Sequence, residues 1–107
     1  MAAALTLYTY WRSSAAYRVR IALHLKGLAF DSVPVHLVQG GGEQHAPDYV
    51  ARNPQHLVPT LLHGKATLVQ SLAIIEYLDE MFPDAPLLPP GTLARQRARA
   101  LAQLVAC

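Results

Sequence analysis

Two adjacent serines preceded by an arginine are the clearest candidates for chemistry in this chain. Ser13 and Ser14 follow Arg12 and stand at the beginning of an apolar, helix-like run. The first amide groups of a helix lack intrahelical partners and carry a partial positive charge, so this turn could hold an anion. Two hydroxyl donors and one fixed positive charge suit a thiolate or a carboxylate. The alternative is that a serine here serves only as an N-cap, which needs no ligand.

Two further segments contain residues that could bind a ligand. Ser71 follows Gln70 and precedes a second apolar helical pattern, so it is a second N-cap candidate and a second possible anion site. Pro59 opens a predicted strand, where an X-Pro bond can be cis. A cis bond would turn the backbone N–H and C=O of Val58 outward, toward the start of the first helix. An ordinary trans proline fits the local pattern equally well.

The composition is typical of one small domain with surplus apolar surface. Of the 107 residues, 52% are hydrophobic and only 15% are charged. We expect part of this apolar surface to face a partner chain or a second domain. The net charge of +2 is too weak and too scattered to indicate a nucleic-acid partner. No stretch approaches the roughly 18 apolar residues of a membrane span, so we predict no membrane contact. We also predict no metal site.

The cysteine and glycine content excludes two other chemistries. Cys107 is the only cysteine, which excludes an intrachain disulfide and a Cys-x-x-Cys redox pair. The glycine run at 40–42 lacks the context of a phosphate-binding loop, so we assign it no nucleotide role. The apolar N-terminus lacks the basic region and the length of a signal peptide. We therefore expect a soluble protein, and a reducing, cytoplasmic location is compatible with its cysteine content.

The hydrophobic pattern predicts elements in the order β-α-β-α-β-β-α. They are a strand from Leu5 to about Tyr8, a helix over Ser14–Lys26, a strand over Phe30–Val38, a short helix over Glu43–Arg52, two strands within Leu57–Val69 and a helix over Leu72–Met81. Pro34 places the second strand at a sheet edge or at a bulge, and the single connecting helix should make it parallel to the first. This order predicts an α/β, thioredoxin-like domain with a mixed four-stranded sheet and helices on both faces.

The C-terminal part has a different character. Residues 84–91 contain three prolines and have the composition of an interdomain linker. Thr92 is predicted to cap a helix that reaches about Val105, and a single helix cannot bury its own apolar stripe. We therefore predict a domain over residues 1–83, a linker over 84–91 and, over 92–107, the first helix of an incomplete all-α domain.

Three motifs in order carry a family resemblance: RSSxxYRVRIALxLKG at 12–27, NPQxxVPTL at 53–61 and QSLAIIEYL at 70–78. Together they resemble the N-terminal, glutathione-binding domain of zeta-class glutathione S-transferases, the family of maleylacetoacetate and maleylpyruvate isomerases. The resemblance covers nearly the whole chain. It favours a functional interpretation of Ser13, Pro59 and Ser71 over a purely structural one.

The resemblance implies that glutathione lies along these three segments. Its γ-glutamyl carboxylate would meet Ser71, with Gln70 close by, and its glycine end would lie near Gln44. Its cysteinyl backbone would pair with Val58, which requires a cis bond to Pro59. The thiol would then point at Ser13 and Ser14.

The implied reaction is the cis–trans isomerisation of a dicarboxylic keto acid. In the family, the thiolate adds to a conjugated double bond and is eliminated after rotation, and Arg12 would hold a substrate carboxylate. The resemblance also implies a homodimer. Arg18 and Arg20 lie within the helix and are expected at the surface or at a domain interface. Some relatives activate the thiol with a tyrosine near the end of the first strand, which makes Tyr8 and Tyr10 rivals, although the paired serines favour Ser13.

Two departures from the family pattern favour an alternative function. Ala15 stands where zeta proteins usually carry a cysteine, and the chain contains little of the helical domain that supplies much of the pocket for the electrophile. The alternative is a glutathione-binding or general glutathione transferase module without isomerase turnover.

Overall fold

The structure, a computed structural model, describes residues 4–10, 12–35, 42 and 58–106. The elements of this part are β1 (Leu5–Thr9), α1 (Ser14–Leu25), β2 (Asp31–Pro34), β3 (Thr60–His63), β4 (Ala66–Val69), α2 (Ser71–Met81) and α3 (Thr92–Ala106). The helix predicted over Glu43–Arg52 lies outside the described residues. Among the helices that are described, none has the length and apolar character needed to cross a membrane.

The four strands form one mixed sheet in the order β2-β1-β3-β4. β1 and β2 are parallel, whereas β3 is antiparallel to both β1 and β4. β2 is an edge strand. The amide of Val35, the residue after β2, donates to the carbonyl of Thr9 (2.8 Å). Because neighbouring residues of a strand point their backbone nitrogens to opposite sides, the nitrogen of Pro34 faces away from β1. The α/β, thioredoxin-like fold is confirmed. β2 is shorter than predicted, and residues 36–38 lie outside the described part.

The main core lies between the sheet and the helices α1 and α2. Its fully buried side chains come from both layers: Leu7, Val19, Leu23, Leu61, Ile74 and Leu78. The helical members are four residues apart in each helix, which places them on one face. Each such side chain stabilises the fold by about 1.5–3 kcal/mol relative to an exposed one. This packing holds the N-terminal ends of α1 and α2 in fixed positions on the sheet.

Lys26 connects the ends of α1 and α2 to the segment that follows. Its side chain is fully buried, and its ammonium lies 3.1 Å from the carboxylate of Asp79 in α2. The ammonium also donates to the carbonyls of Phe82 (2.6 Å), Asp84 (3.1 Å) and Ala85 (3.2 Å). Asp79 in turn accepts from the amide of Leu87 (2.7 Å). One buried ion pair therefore determines how the chain leaves α2.

α3 lies beside α1 and α2 but adds no buried residue to the core. The guanidinium of Arg99 pairs with Glu76 of α2 at 2.7 Å, on the surface. A cavity of about 510 Å³, lined mainly by apolar side chains, separates the three helices. The carbonyl of Gly91 accepts from the amide of Arg95 (3.0 Å), so the helix begins at Thr92. Gly91 is therefore the N-cap residue and Thr92 is the first helical residue, so the prediction that Thr92 caps this helix is wrong.

Candidate functional site

The strand register brings three predicted site segments to one end of the sheet. Tyr8, near the end of β1, is opposite Thr60 at the start of β3, and Thr60 is opposite Val69 at the end of β4. β1 and β4 therefore both end where β3 begins. As a result, the start of α1, the Val58–Pro59 peptide and the start of α2 lie at the same edge of the sheet.

Ser13 is the N-cap of α1. Its amide donates to the carbonyl of Tyr10 (2.9 Å) in the turn that follows β1, and its carbonyl accepts from the amide of Tyr17 (3.0 Å). Its Oγ accepts from the amide of Ala16 (3.1 Å), so the cap interpretation is confirmed. A hydroxyl has one proton to donate besides its acceptor positions. Ser13 can therefore cap the helix and still donate to an anion.

The residues beside the cap complete a positively charged helix start. Arg12 and Ser14 are both exposed, and Ser14 is the first residue of α1. The first turn of α1 contains no acidic residue. The partial positive charge of the helix N-terminus is therefore not neutralised by the side chains of its own first turn.

The Val58–Pro59 peptide bond is cis, as the family resemblance requires. Both residues are buried immediately before β3. Val58 belongs to a buried cluster with Tyr10, Ala16 and Val35. Because Ala16 lies in the first turn of α1, this cluster packs the start of β3 against the helix that Ser13 caps.

The rival tyrosines take part in the same packing. Tyr10 is only 6% exposed within this cluster, and Tyr8 is half-buried and packs against it. A core position of this kind is the usual one for an aromatic residue at a strand end. The packing therefore favours Ser13 over Tyr10 as the residue that meets a ligand.

α2 begins differently from the prediction. Gln70 is its N-cap, in the left-handed region with φ of 72° and ψ of 115°, and its carbonyl accepts from the amide of Ile74 (2.9 Å). Ser71 is therefore the first helical residue, and the prediction that it caps α2 is wrong. The helix start is set by the backbone of Gln70, which makes no side-chain cap bond. Left-handed non-glycine residues cost about 1–3 kcal/mol and concentrate at functional sites.

Arg18 reaches this helix start, although the sequence suggested only a surface or interdomain position. Its Nη2 donates to Oγ of the buried Ser71 (3.3 Å). Its Nε is buried and has no hydrogen-bond partner in the part of the chain that the structure describes. Ser14 and Arg18 are four residues apart on α1, and this spacing was the signal that could have placed Arg18 beside the site.

The remaining predictions concern Gln44 and metals. Gln44 lies outside the described residues. Among the residues that are described, no group of three or more histidine, cysteine, aspartate or glutamate side chains could hold a metal ion.

A family profile described as glutathione S-transferase, N-terminal domain, matches residues 3–80. The chain belongs to this family. A probable maleylacetoacetate isomerase of Vibrio cholerae is 54% identical to it over 98 residues, which cover 92% of this chain and 46% of that protein. The maleylacetoacetate isomerase of Pseudomonas aeruginosa is 53% identical over 102 residues, covering 94% and 48%. This glutathione S-transferase domain thus spans about half the length of these curated relatives.

Solved structures show the same similarity. A maleylpyruvate isomerase, described as a bacterial glutathione S-transferase of the zeta class, has a TM-score of 0.89 at 47% identity, over 95% of this chain and 47% of that one. The maleylacetoacetate isomerase of Methylobacterium extorquens AM1, solved with malonate and glutathione, has a TM-score of 0.89 at 53% identity, with the same coverage. These similarities confirm the resemblance to the zeta class that the three motifs indicated.

Proposed function

We propose that this domain binds glutathione and forms the thiol-activating part of a cis–trans isomerase that acts on maleylacetoacetate-like keto diacids. The observation that carries the proposal is the placement of three segments at one end of the sheet: the cap at Ser13, the cis peptide at Val58 and the start of α2 at Ser71. Identities of 53% and 47% to proteins named as maleylacetoacetate and maleylpyruvate isomerases support the reaction class.

The segments fit glutathione in length and charge. The ends of β1 and β4 lie on either side of β3, and two strand spacings amount to about 10 Å. An extended tripeptide has a similar length of about 10 Å. The N-termini of α1 and α2 and the guanidinium groups of Arg12 and Arg18 supply positive charge for its carboxylates. Neither helix has an acidic residue in its first turn.

Five residues would form the site for the peptide part of glutathione. In the proposal, Ser71 and the start of α2 bind the γ-glutamyl carboxylate, with Gln70 beside them. The backbone of Val58, in cis linkage to Pro59, pairs with the cysteinyl unit. Gln44 contacts the glycine end.

Ser13 and Ser14 would lower the pKa of the bound thiol. A free thiol ionises near pH 8.5, and lowering its pKa by about two units requires about 2.7 kcal/mol of preferential thiolate stabilisation. One hydroxyl bond to the anion contributes about 1.5–3 kcal/mol and a helix N-terminus about 0.3–1 kcal/mol. When bound, glutathione would supply the thiolate nucleophile for reversible addition to the conjugated cis double bond of the substrate. Arg12 would orient a carboxylate of the substrate.

We propose a division of the chain that accounts for the surplus apolar surface. Residues 1–83 would form the glutathione domain, 84–91 a linker and 92–107 the start of an all-α domain that completes the site for the electrophile. Large apolar side chains of α3 are exposed: Leu93, Leu101, Leu104 and Val105. A homodimer would cover further apolar surface. A cytoplasmic, reducing location would keep the thiol available.

A glutathione-binding or general transferase module without isomerase turnover is a second candidate. Ala15 favours it, because zeta proteins usually carry a cysteine at that position. If that cysteine acts directly in the reaction, its replacement lowers isomerase turnover and leaves glutathione binding intact.

Calorimetric titration with reduced glutathione, followed by an ultraviolet assay of maleylpyruvate isomerisation, tests the proposal. We expect a micromolar to millimolar dissociation constant and isomerisation that requires glutathione. The matched variants are Ser71→Ala, which should weaken binding, and Ser32→Ala on the exposed edge strand β2, which should not. Binding without isomerisation would support the second candidate, and absence of binding would contradict both.

A further inference from the structure

We infer that Arg18 is a positioning residue of the glutathione site. Its guanidinium orients the hydroxyl of Ser71 toward the γ-glutamyl carboxylate and adds positive charge at the start of α2. This inference rests on the glutathione binding proposed above and extends it to a residue of α1 outside the Ser13–Ser14 pair.

The direction of one hydrogen bond carries the first step. Arg18 Nη2 lies 3.3 Å from Ser71 Oγ. A guanidinium has donors only, so the serine oxygen is the acceptor, and the serine proton must point to a different group. Serines inside helices often donate to the carbonyl one turn earlier. Ser71 is the first residue of α2 and has no earlier turn. The hydroxyl proton of Ser71 is therefore available to a ligand at the helix start.

The charge of Arg18 carries the second step. Two acidic residues, Glu76 and Asp79, line the cavity beside Arg18, and each is paired with another cation. Glu76 binds Arg99 at 2.7 Å and Asp79 binds Lys26 at 3.1 Å. The partner that the structure shows for Arg18 is the neutral hydroxyl of Ser71, and its Nε has no hydrogen-bond partner in the described part of the chain.

A carboxylate next to Ser71 would complete this arrangement. It would accept hydrogen bonds from the Ser71 hydroxyl and from the amides at the start of α2, and it would lie close to the charge of Arg18. Hydrogen bonds in which the donor or the acceptor is ionised are about twice as strong as those between neutral groups. The ligand group that fits is the α-carboxylate of the γ-glutamyl unit.

The test compares two arginines and two ligands. Arg18→Met removes the guanidinium and leaves an unbranched side chain of roughly similar length. Arg20→Met is the matched control, because Arg20 is also half-buried on α1, has a buried Nε without a hydrogen-bond partner among the described residues, and lies 5.2 Å from the ring of Tyr17. The ligands are glutathione and 4-aminobutyryl-cysteinyl-glycine, which lacks only the glutamyl α-carboxylate. Calorimetry measures the dissociation constants and urea denaturation measures stability.

We expect Arg18→Met to weaken glutathione binding about tenfold, and Arg20→Met to leave it within about twofold. For the ligand without the carboxylate, native protein and Arg18→Met should bind equally. Combining Arg18→Met with Ser71→Ala should weaken binding little more than Ser71→Ala alone, because the two residues act as one unit. Arg18→Gln keeps a hydrogen-bond donor but not the charge, and it should also weaken the binding of glutathione but not of the ligand without the carboxylate. This variant is used in place of Arg18→Met if Arg18→Met unfolds.

The outcomes separate the inference from the function on which it rests. If the native protein binds glutathione and Arg18→Met binds it equally well, or if Arg18→Met weakens both ligands equally, the inference is overturned and the proposed function stands. If the native protein does not bind glutathione, the proposed function is overturned and the inference with it.

Discussion

A single hydroxyl, that of Ser13, has two uses at the start of α1. Its oxygen accepts from the amide of Ala16 at 3.1 Å and caps the helix. In the proposed function, its O–H group also donates a hydrogen bond to the thiolate of glutathione. The acceptor and donor uses of a hydroxyl do not compete. Mutation can therefore separate the structural contribution of Ser13 from its chemical one.

Substitutions at Ser13 should affect stability in a graded way. Replacing an N-cap serine by alanine costs about 0.5–2 kcal/mol, whereas glycine costs only a few tenths. We expect Ser13→Ala to lower the free energy of unfolding by about 1 kcal/mol and Ser13→Gly by much less, measured in urea. Ser14→Ala, at the exposed first helical position, is the control and should change it by less than about 0.5 kcal/mol. Equal losses in all three variants would contradict the cap.

Among the elements, the residue pattern predicted each described strand and helix, because the spacing of apolar residues differs between strands and helices. α1 ends at Leu25, one residue before the predicted end, and Gly27, with φ of 66°, follows its C-cap Lys26. The start of α2 was missed because it depends on the left-handed backbone of Gln70, which no apolar pattern records. The contact from Arg18 to Ser71 was missed because it joins residues 53 positions apart.

Lys26 was also missed, although the sequence contains a signal for it. Lys26, the cap residue that follows α1, continues the face of Val19 and Leu23, so the buried face of this helix leads into a lysine. A buried ammonium needs oxygen partners. The pattern does not identify them, because Asp79 and the three carbonyls belong to a distant part of the chain.

Removal of the Lys26 charge should destabilise the fold strongly. Lys26→Met leaves Asp79 buried without its ion-pair partner, and breaking a buried pair from one side costs about 3–5 kcal/mol. We expect the free energy of unfolding in urea to fall by about that amount. Lys65→Met, in the exposed turn between β3 and β4, is the matched control and should change it by less than about 0.5 kcal/mol. Similar losses in both variants would show that the buried ion pair contributes little.

The same pair should make stability sensitive to acid. Burial alone would raise the pKa of Asp79, but the hydrogen bond from Leu87 and the interactions with Lys26 outweigh it and hold this pKa below its ordinary value of 3.8. Such a group stabilises the fold above that value, and its contribution is lost as the pH falls below it. We expect the stability difference between the native protein and Asp79→Asn to be largest near neutral pH and to shrink below pH 3.8. A difference independent of pH would contradict this role.

For the molecule as a whole, the core belongs to the sheet and the first two helices. The main buried cluster contains residues of β1, β3, α1 and α2, and none of α3. α3 is joined to α2 by the exposed Arg99–Glu76 pair, and such pairs contribute about 0–1 kcal/mol. The described fold therefore does not depend on α3 for its core.

Two truncations test this division of the chain. A chain that ends at Gly91 keeps the Lys26–Asp79 ion pair and its hydrogen bonds, and its free energy of unfolding should lie within about 1 kcal/mol of that of the 107-residue chain. A chain that ends at Met81 loses the carbonyls and the amide that bind this pair and should lose at least about 2 kcal/mol more. Urea denaturation gives both values. Equal destabilisation by the two truncations would contradict the proposed boundary.

The ionisation of bound glutathione tests the central claim most directly. Ultraviolet absorbance of the thiolate, recorded against pH at saturating glutathione, gives the pKa of the thiol in the complex. The account predicts a pKa about two units below the ordinary value of about 8.5 in the native protein. It predicts that this shift is lost in Ser13→Gly and retained in Ser71→Ala. An unshifted pKa with glutathione bound to the native protein would contradict the account.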